Sequence, residues 1–207
     1  MIIKYKGHSC FKVLGKEYSL CLDPYKNIGL NPNDIVADYY FCSHSHYDHD
    51  NFLATQGKPF EKYLEIISTY HDQECGRLRG QNKVLVFEID GVKIAHLGDL
   101  GETDNNQLID KLYGIDILLI CIGGNYTINA RQALDYINKI KPKIAIPMHY
   151  HISGSKVDID TIDEFLSLSS YPYEYMEELE INGKIENKTK IIQLKADVLW
   201  KITLETS

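Results

Sequence analysis

The sequence has no long hydrophobic run. Its longest strongly apolar stretch, Ile117–Ile122, is far short of the ~20 residues that cross a bilayer, so no membrane span is expected. It also has no C-x-x-C pair. The five cysteines, Cys10, Cys21, Cys42, Cys75 and Cys121, are odd in number and lie mostly in apolar, strand-like segments. A disulfide framework is therefore disfavoured, and reduced core cysteines of a cytoplasmic protein are expected. Positive charge is in the minority, with 22 Lys plus Arg against 29 Asp plus Glu and a formal charge of −7. A net acidic chain without a basic arm is a poor general binder of phosphate backbones, which disfavours nucleic acid as a partner. No internal repeat, low-complexity tract or linker breaks the chain. Met1–Lys6 alternates apolar and polar residues and reads as a first strand, not as a signal peptide. The 207 residues, 44% of them hydrophobic, suffice to bury a core, and one domain over 1–207 is expected.

What is present is a run of strands followed by strands alternating with helices. Ile2–Lys6, Cys10–Leu14, Tyr18–Leu22, Tyr39–Ser43 and Leu64–Thr69 read as strands. Val84–Ile89 and Val92–Leu97 flank Asp90-Gly91, a pair suited to the positive φ angles of a type I′ turn. A two-residue loop sets Ile89 opposite Val92, Glu88 opposite Lys93 and Phe87 opposite Ile94, which pairs like with like and opposite charges with each other. A short helix near Asn105–Leu112 follows, then a strand Ile115–Ile122. Next comes a helix Asn129–Ile140 with Ala130, Ala133, Leu134, Ile137 and Ile140 on one face, and then a strand Lys143–Pro147. Thr161–Leu168 reads as helical and Lys190–Leu194 as a strand. The order predicts an α/β fold with a sheet covered by helices.

The eight histidines are not scattered. Three fall in Ser43-His44-Ser45-His46-Tyr47-Asp48-His49, and an H-x-H-x-D-H match has chance odds of roughly one in a thousand for this composition. The segment follows an apolar strand. In an extended stretch His44 and His46 point the same way, so both can reach one metal ion, and Asp48 and His49 follow where the chain turns. Imidazole nitrogen and carboxylate oxygen suit zinc, manganese or iron. Further candidate ligands also follow predicted strands: His71, Asp99 in His96-Leu97-Gly98-Asp99, and His149 in Ile146-Pro147-Met148-His149. Strand ends are where α/β folds place active sites.

These segments resemble the metallo-β-lactamase superfamily, in the family's order and with family-like gaps. Gly7-His8-Ser9-Cys10-Phe11, Leu22-Asp23-Pro24, His71-Asp72, Arg79-Gly80-Gln81-Asn82, Leu97-Gly98-Asp99-Leu100-Gly101, Gly123-Gly124-Asn125-Tyr126-Thr127 and Pro147-Met148-His149-Tyr150 narrow the resemblance. They are similar to a branch of bacterial metal-dependent hydrolases related to L-ascorbate 6-phosphate lactonases. The resemblance covers roughly residues 1–152 and implies a four-layer αβ/βα sandwich with two divalent metal ions at one edge. It implies His44, His46 and His71 on one ion, Asp48, His49 and His149 on the other, and Asp99 bridging both. Asp48 and Asp99 are then the catalytic carboxylates. The implied activity is hydrolysis of a small ester, lactone or phosphoester by a metal-bound hydroxide. Metal binding lowers the pKa of water from about 15.7 toward about 7. Zinc and manganese fit these ligands equally, and iron is compatible with them.

Other residues have weaker claims. His96 competes with His71 for the lone-histidine role, but the hairpin already accounts for it. His8, Tyr47 and His151 are candidate substrate-binding residues, and His8 and Asp23 are placed to hydrogen-bond to ligands from behind. Arg77, Arg79 and Lys83 form a basic cluster near His71 that reads as a solvated loop rather than an anion site. Tyr171, Tyr173 and Tyr175 are expected to pack the tail on the core. The expected partner is a small-molecule substrate, and a homo-oligomer is compatible with the sequence. The rival readings are a nuclease of the same fold, which the charge disfavours, and an iron-dependent redox protein, for which no flavin-binding or rubredoxin-like segment is found.

Overall fold

The computed structural model describes residues 1–199; Trp200–Ser207, the end of the expected 1–207 domain, lie outside the described residues. Six strands form the first sheet: β1 (Ile2–Tyr5), β2 (Phe11–Leu14), β3 (Ser19–Leu22), β4 (Tyr39–Phe41), β5 (Lys58–Pro59) and β12 (Glu178–Glu180), in the order β12-β1-β2-β3-β4-β5. Seven form the second: β6 (Tyr63–Tyr70), β7 (Gln81–Ile89), β8 (Val92–His96), β9 (Ile117–Cys121), β10 (Ile144–Met148), β11 (Tyr173–Met176) and β13 (Lys190–Leu194), in the order β11-β13-β10-β9-β8-β7-β6. One hydrophobic cluster draws on both sheets, from Ile3, Phe11 and Leu20 in the first to Phe87, Leu118 and Ile146 in the second. This is the expected sandwich of two mixed sheets.

Helical cover is unequal. The helices α1 (Asn106–Leu112), α2 (Ala130–Ile140) and α3 (Asp163–Leu168) all lie in connections between strands of the second sheet. The connections within the first sheet hold only a 3-10 turn at Phe52–Thr55.

Local chemistry explains the elements. β9 and β10 are buried at every position, and their near-continuous apolar sequences are those of parallel strands covered on both faces. Helix α2 starts at a capping box, in which the Asn129 side chain accepts from Gln132 N and the Gln132 side chain accepts from Asn129 N. It ends at Lys141 in the left-handed region, directly before Pro142, where the helix cannot continue. Its buried face includes Tyr136 in addition to Ala130, Ala133, Ile137 and Ile140, while Leu134 is only half-buried.

The β7–β8 hairpin has the expected register: Ile89 pairs with Val92, Glu88 with Lys93 and Phe87 with Ile94. Asp90 and Gly91 take φ values of 52° and 78°. A Cβ at Gly91 would meet nothing within 4 Å, so only backbone conformation is at stake there. Gly91→Ala is expected to cost about 1 kcal/mol, the left-handed penalty for a residue with a Cβ, read as a lower urea midpoint at unchanged m.

The tail corrects one expectation. It does dock, since β12 pairs with β1 and β11 pairs with β13. Tyr171 is half-buried against the core, but Tyr173 and Tyr175 stand 46% and 57% exposed on the edge strand β11. Cys75 is likewise exposed, whereas Cys10, Cys21 and Cys121 are buried. No helix among the described residues is long and apolar enough to cross a membrane.

Candidate metal centre

Strand direction gathers the candidate ligands at one end of the sandwich. In the first sheet β1, β3 and β4 run the same way, because two antiparallel steps (β1–β2, β2–β3) precede a parallel one (β3–β4). In the second sheet β6, β8 and β10 run the same way for the same reason. His8 follows β1, Asp23 follows β3, and His44–His49 follow β4. His71, Asp99 and His149 follow β6, β8 and β10. Three of these residues sit in the left-handed region, His8 at φ 56°, Asp23 at 42° and His149 at 53°. His and Asp tolerate this region better than bulkier side chains, and Asp90 and Lys141 adopt it in an ordinary turn and helix end, so it is the contacts of these three residues that set them apart. Here His149 N donates to His8 O at 2.7 Å, which locks the two turns together across the sheets.

Asp99 is the centre of the cluster and is only 2% exposed. Its Oδ2 lies 3.2 Å from Nε2 of His49, of His71 and of His149, and 4.0 Å from Nε2 of His44. Ligand-type atoms of His44, His46 and His71 lie within 4.8 Å of one another, as do those of His44, His49 and Asp99, and those of His8, His49 and His149.

Three of the imidazoles are held from behind through Nδ1. His49 Nδ1 donates to Asp23 Oδ2 at 2.8 Å and His71 Nδ1 to Tyr126 O at 3.0 Å. His44 Nδ1 donates to Ser43 Oγ at 2.9 Å, and that hydroxyl in turn donates to Asp23 Oδ2. Asp23, wholly buried, also accepts from Ser43 N and so fixes the whole turn after β4. Each ring therefore aims Nε2 inward, the arrangement by which outer hydrogen bonds orient metal-binding histidines.

Charge at the centre is divided. Burial pulls His49 down, but Asp99 and Asp23 outweigh it and hold its pKa well above the ordinary value. Burial also lowers His71, and the Asp99 hydrogen bond reverses the shift, so it too is raised. Burial dominates at His8 and His44, lowering them to about 4 and about 3, with help from His149 and His49 respectively. Asp99 is opposed by its burial but pulled well below the carboxylate range by His149 and His49.

These donors fit divalent cations. Nε2 of His8, His44 and His49 and both ring nitrogens of His149 are buried without a well-aligned hydrogen bond among the described residues, a costly state for polar atoms, although Asp48 or Asp99 oxygens stand 3.2–4.0 Å from the Nε2 atoms. Two ligands about 2.0–2.1 Å from one tetrahedral ion stand about 3.3 Å apart, close to the spacing of the three Nε2 atoms from Asp99 Oδ2.

Not every expected residue lands where its role would put it. His46 is exposed at the rim, yet groups with His44 and His71. Asp48 Oδ2 faces His8 Nε2 at 3.3 Å and is 3.9 Å from His49 Nε2. It is His8, expected to contact substrate or support ligands, that groups with His49 and His149. His96 is excluded from the cluster, because its Nε2 donates to Ser9 O and its Nδ1 accepts from Gly98 N. A cleft of about 580 Å³ opens onto the cluster and includes Tyr47, 56% exposed, among its walls. His151 is not part of it; it lines a separate cleft with Tyr175 and Gln193, and its backbone N donates to Asp160 O. Lys156 and Asp158, which also line the metal-facing cleft, carry no sequence signal that sets them apart.

A family model described as a beta-lactamase superfamily domain matches residues 2–149. A UPF0173 metal-dependent hydrolase of Staphylothermus marinus is 32% identical over 190 residues, covering 72% of this chain and 83% of that protein. Its counterpart in Carboxydothermus hydrogenoformans is 27% identical, covering 73% of this chain and 85% of that protein. Among solved structures, a Thermotoga maritima protein assigned to the Zn-dependent hydrolases of the metallo-β-lactamase superfamily superposes with a TM-score of 0.72. It is 28% identical, and the match covers 94% of this chain and 99% of that one. The family match spans the strands that carry every residue of the cluster around Asp99, and the chain belongs to the metallo-β-lactamase superfamily.

Proposed function

We propose that this chain, a metal-dependent hydrolase by family, cleaves a small ester, lactone or phosphoester with two divalent cations held around Asp99. The observation that carries the reading is the convergence of three imidazole Nε2 atoms on a single buried carboxylate oxygen. Zinc, manganese and iron all suit the donor set. His44, His46 and His71 would hold one cation, and His49 and His149 the other with Asp48 or His8, with Asp99 shared. Cations so held supply an acidified water and positive charge for a developing oxyanion.

The chain's own groups do the rest. Asp23, Ser43 and the Tyr126 carbonyl keep the rings oriented toward the cleft. The cleft is of a size that takes a small-molecule substrate.

Elemental analysis of purified protein tests the reading. Close to two metal ions per chain are expected, with at least one lost in His46→Ala. No metal in the wild type, unrestored by added zinc, manganese or iron, would overturn it.

Loading should also release protons. Asp99 and Asp23 raise His49, and Asp99 raises His71, so both rings hold their protons to higher pH than a free imidazole when no cation competes. A cation needs the neutral ring, so uptake expels these protons and affinity falls as pH drops. Calorimetric metal titrations at pH 7 in buffers of different ionisation enthalpy are expected to show net proton release on loading. A buffer-independent enthalpy would refute this.

A further inference from the structure

We propose that the substrate carries an anionic group, carboxylate or phosphate, besides its scissile bond, and that Arg79 is the residue that selects it. The inference rests on the proposed hydrolytic site and names the substrate class for it.

The structure divides the basic cluster of the sequence. Of the chain's three arginines, Arg77 pairs with Glu74 and Arg131 with Glu164, while the Arg79 guanidinium enters no ion pair among the described residues. Arg79 instead lines the metal-facing cleft, half-buried, beside His71 and Tyr126. Its guanidinium lies over the Tyr126 ring, 4.3 Å from the centroid. A stacked guanidinium keeps its in-plane N–H donors free for a planar or tetrahedral oxyanion.

The backbone beneath Arg79 is equally fixed. The Asp72 carboxylate, 7% exposed, accepts from the N–H groups of Glu74, Gly76, Leu78 and Arg79 and so gathers the loop between β6 and β7 around one point. The same structure ties the loop to the metal cluster, since His71 precedes Asp72 and its Nδ1 is held by the Tyr126 carbonyl. A loop built merely to be solvated has no need of four converging N–H groups and an aromatic platform. Lys156 lines the same cleft and also enters no ion pair among the described residues, but Arg79 is the cation fixed on an aromatic ring beside His71.

Calorimetric binding of three probes to zinc-loaded protein tests the assignment: pentanoate, glutarate and 4-phosphonobutyrate. All present one carboxylate on a chain of equal length and differ only in the far end, which is methyl, carboxylate or phosphonate. Glutarate, phosphonobutyrate or both are expected to bind at least tenfold more tightly than pentanoate. The gain should fall below threefold in Arg79→Gln and be partly kept in Arg79→Lys. Arg77→Gln, which removes an equal charge from the same loop, should keep the full gain. The arm that gains more identifies carboxylate or phosphate as the preferred group.

Equal binding of all three probes, a gain that survives in Arg79→Gln, or an equal loss in Arg77→Gln overturns the proposal. Metal content, measured on every variant, separates this from failure of the hydrolase reading. A chain that binds no metal fails there first, while one that holds metal without the anion preference fails only here.

Discussion

Asp99→Asn is expected to weaken metal binding by about 10²–10⁴-fold, the equivalent of the ~3–5 kcal/mol lost when one side of a buried charge pair is removed. Hydrolysis should fall below detection at ordinary metal concentrations. The substitution is nearly isosteric and opens no cavity, so the change isolates charge. The carboxylate oxygen it removes is the one that stands 3.2 Å from three separate imidazoles. A second readout does not depend on metal. Asp99 raises the pKa of both His49 and His71, and without its charge each imidazolium loses stabilisation. Both rings should therefore titrate at lower pH in NMR spectra of the metal-free variant than in metal-free wild type. Wild-type metal affinity in the variant, with unchanged histidine titrations, would show that Asp99 is a bystander.

Gly101→Ala is expected to cost about 3 kcal/mol or more, at the upper end of what overpacking costs. For a chain of this size that corresponds to a fall of roughly 6–12 °C in the melting temperature. Gly101 does not need glycine for its backbone angles, since its φ is not positive. It needs the space, because a Cβ there would stand 2.4 Å from both the Asp72 nitrogen and the His71 carbonyl carbon. Those are backbone atoms, which cannot swing aside as a side chain would. The clash falls on the segment that carries His71 and the Asp72 loop, so weaker metal retention should accompany the loss of stability. Gly114→Ala makes the contrast. Its φ is 72° and nothing lies within 4 Å of the added carbon, so about 1 kcal/mol of conformational strain is the whole expected effect. Equal melting temperatures for the two variants would contradict the close-approach argument.

Residues that lie close in sequence were the most legible part of the site. His44, His46, Asp48 and His49 carry their geometry in their spacing, because two-residue periodicity in an extended segment puts two rings on one side. His71, Asp99 and His149 could be found only as polar residues after predicted strands, with the family resemblance to order them. His8 was under-read. A single histidine after a glycine has no spacing to interpret, and its nearness to His49 and His149 arises from contacts between the two sheets. The sequence could not separate Arg79 from Arg77, since no local pattern reveals that Arg77 has a carboxylate and Arg79 has an aromatic ring. Among the strands, the Asp-Gly hairpin was legible down to its register because turn chemistry and cross-strand pairing agree. The edge strands β5, β11 and β12 were not. They are two to four residues long, mostly exposed, and stabilised by neighbours distant in sequence.

The donors are shared between the sheets. His8, His44, His46, Asp48 and His49 follow strands of the first, while His71, Asp99 and His149 follow strands of the second. A cation seated among them is a cross-link between two halves that the ribosome delivers at different times. The first five donors emerge within the opening quarter of the chain, but the set is complete only once β10 has been made. A nascent first sheet thus offers imidazoles without Asp99, so a cation held by the full set would be captured late and would seal the packing of one sheet on the other.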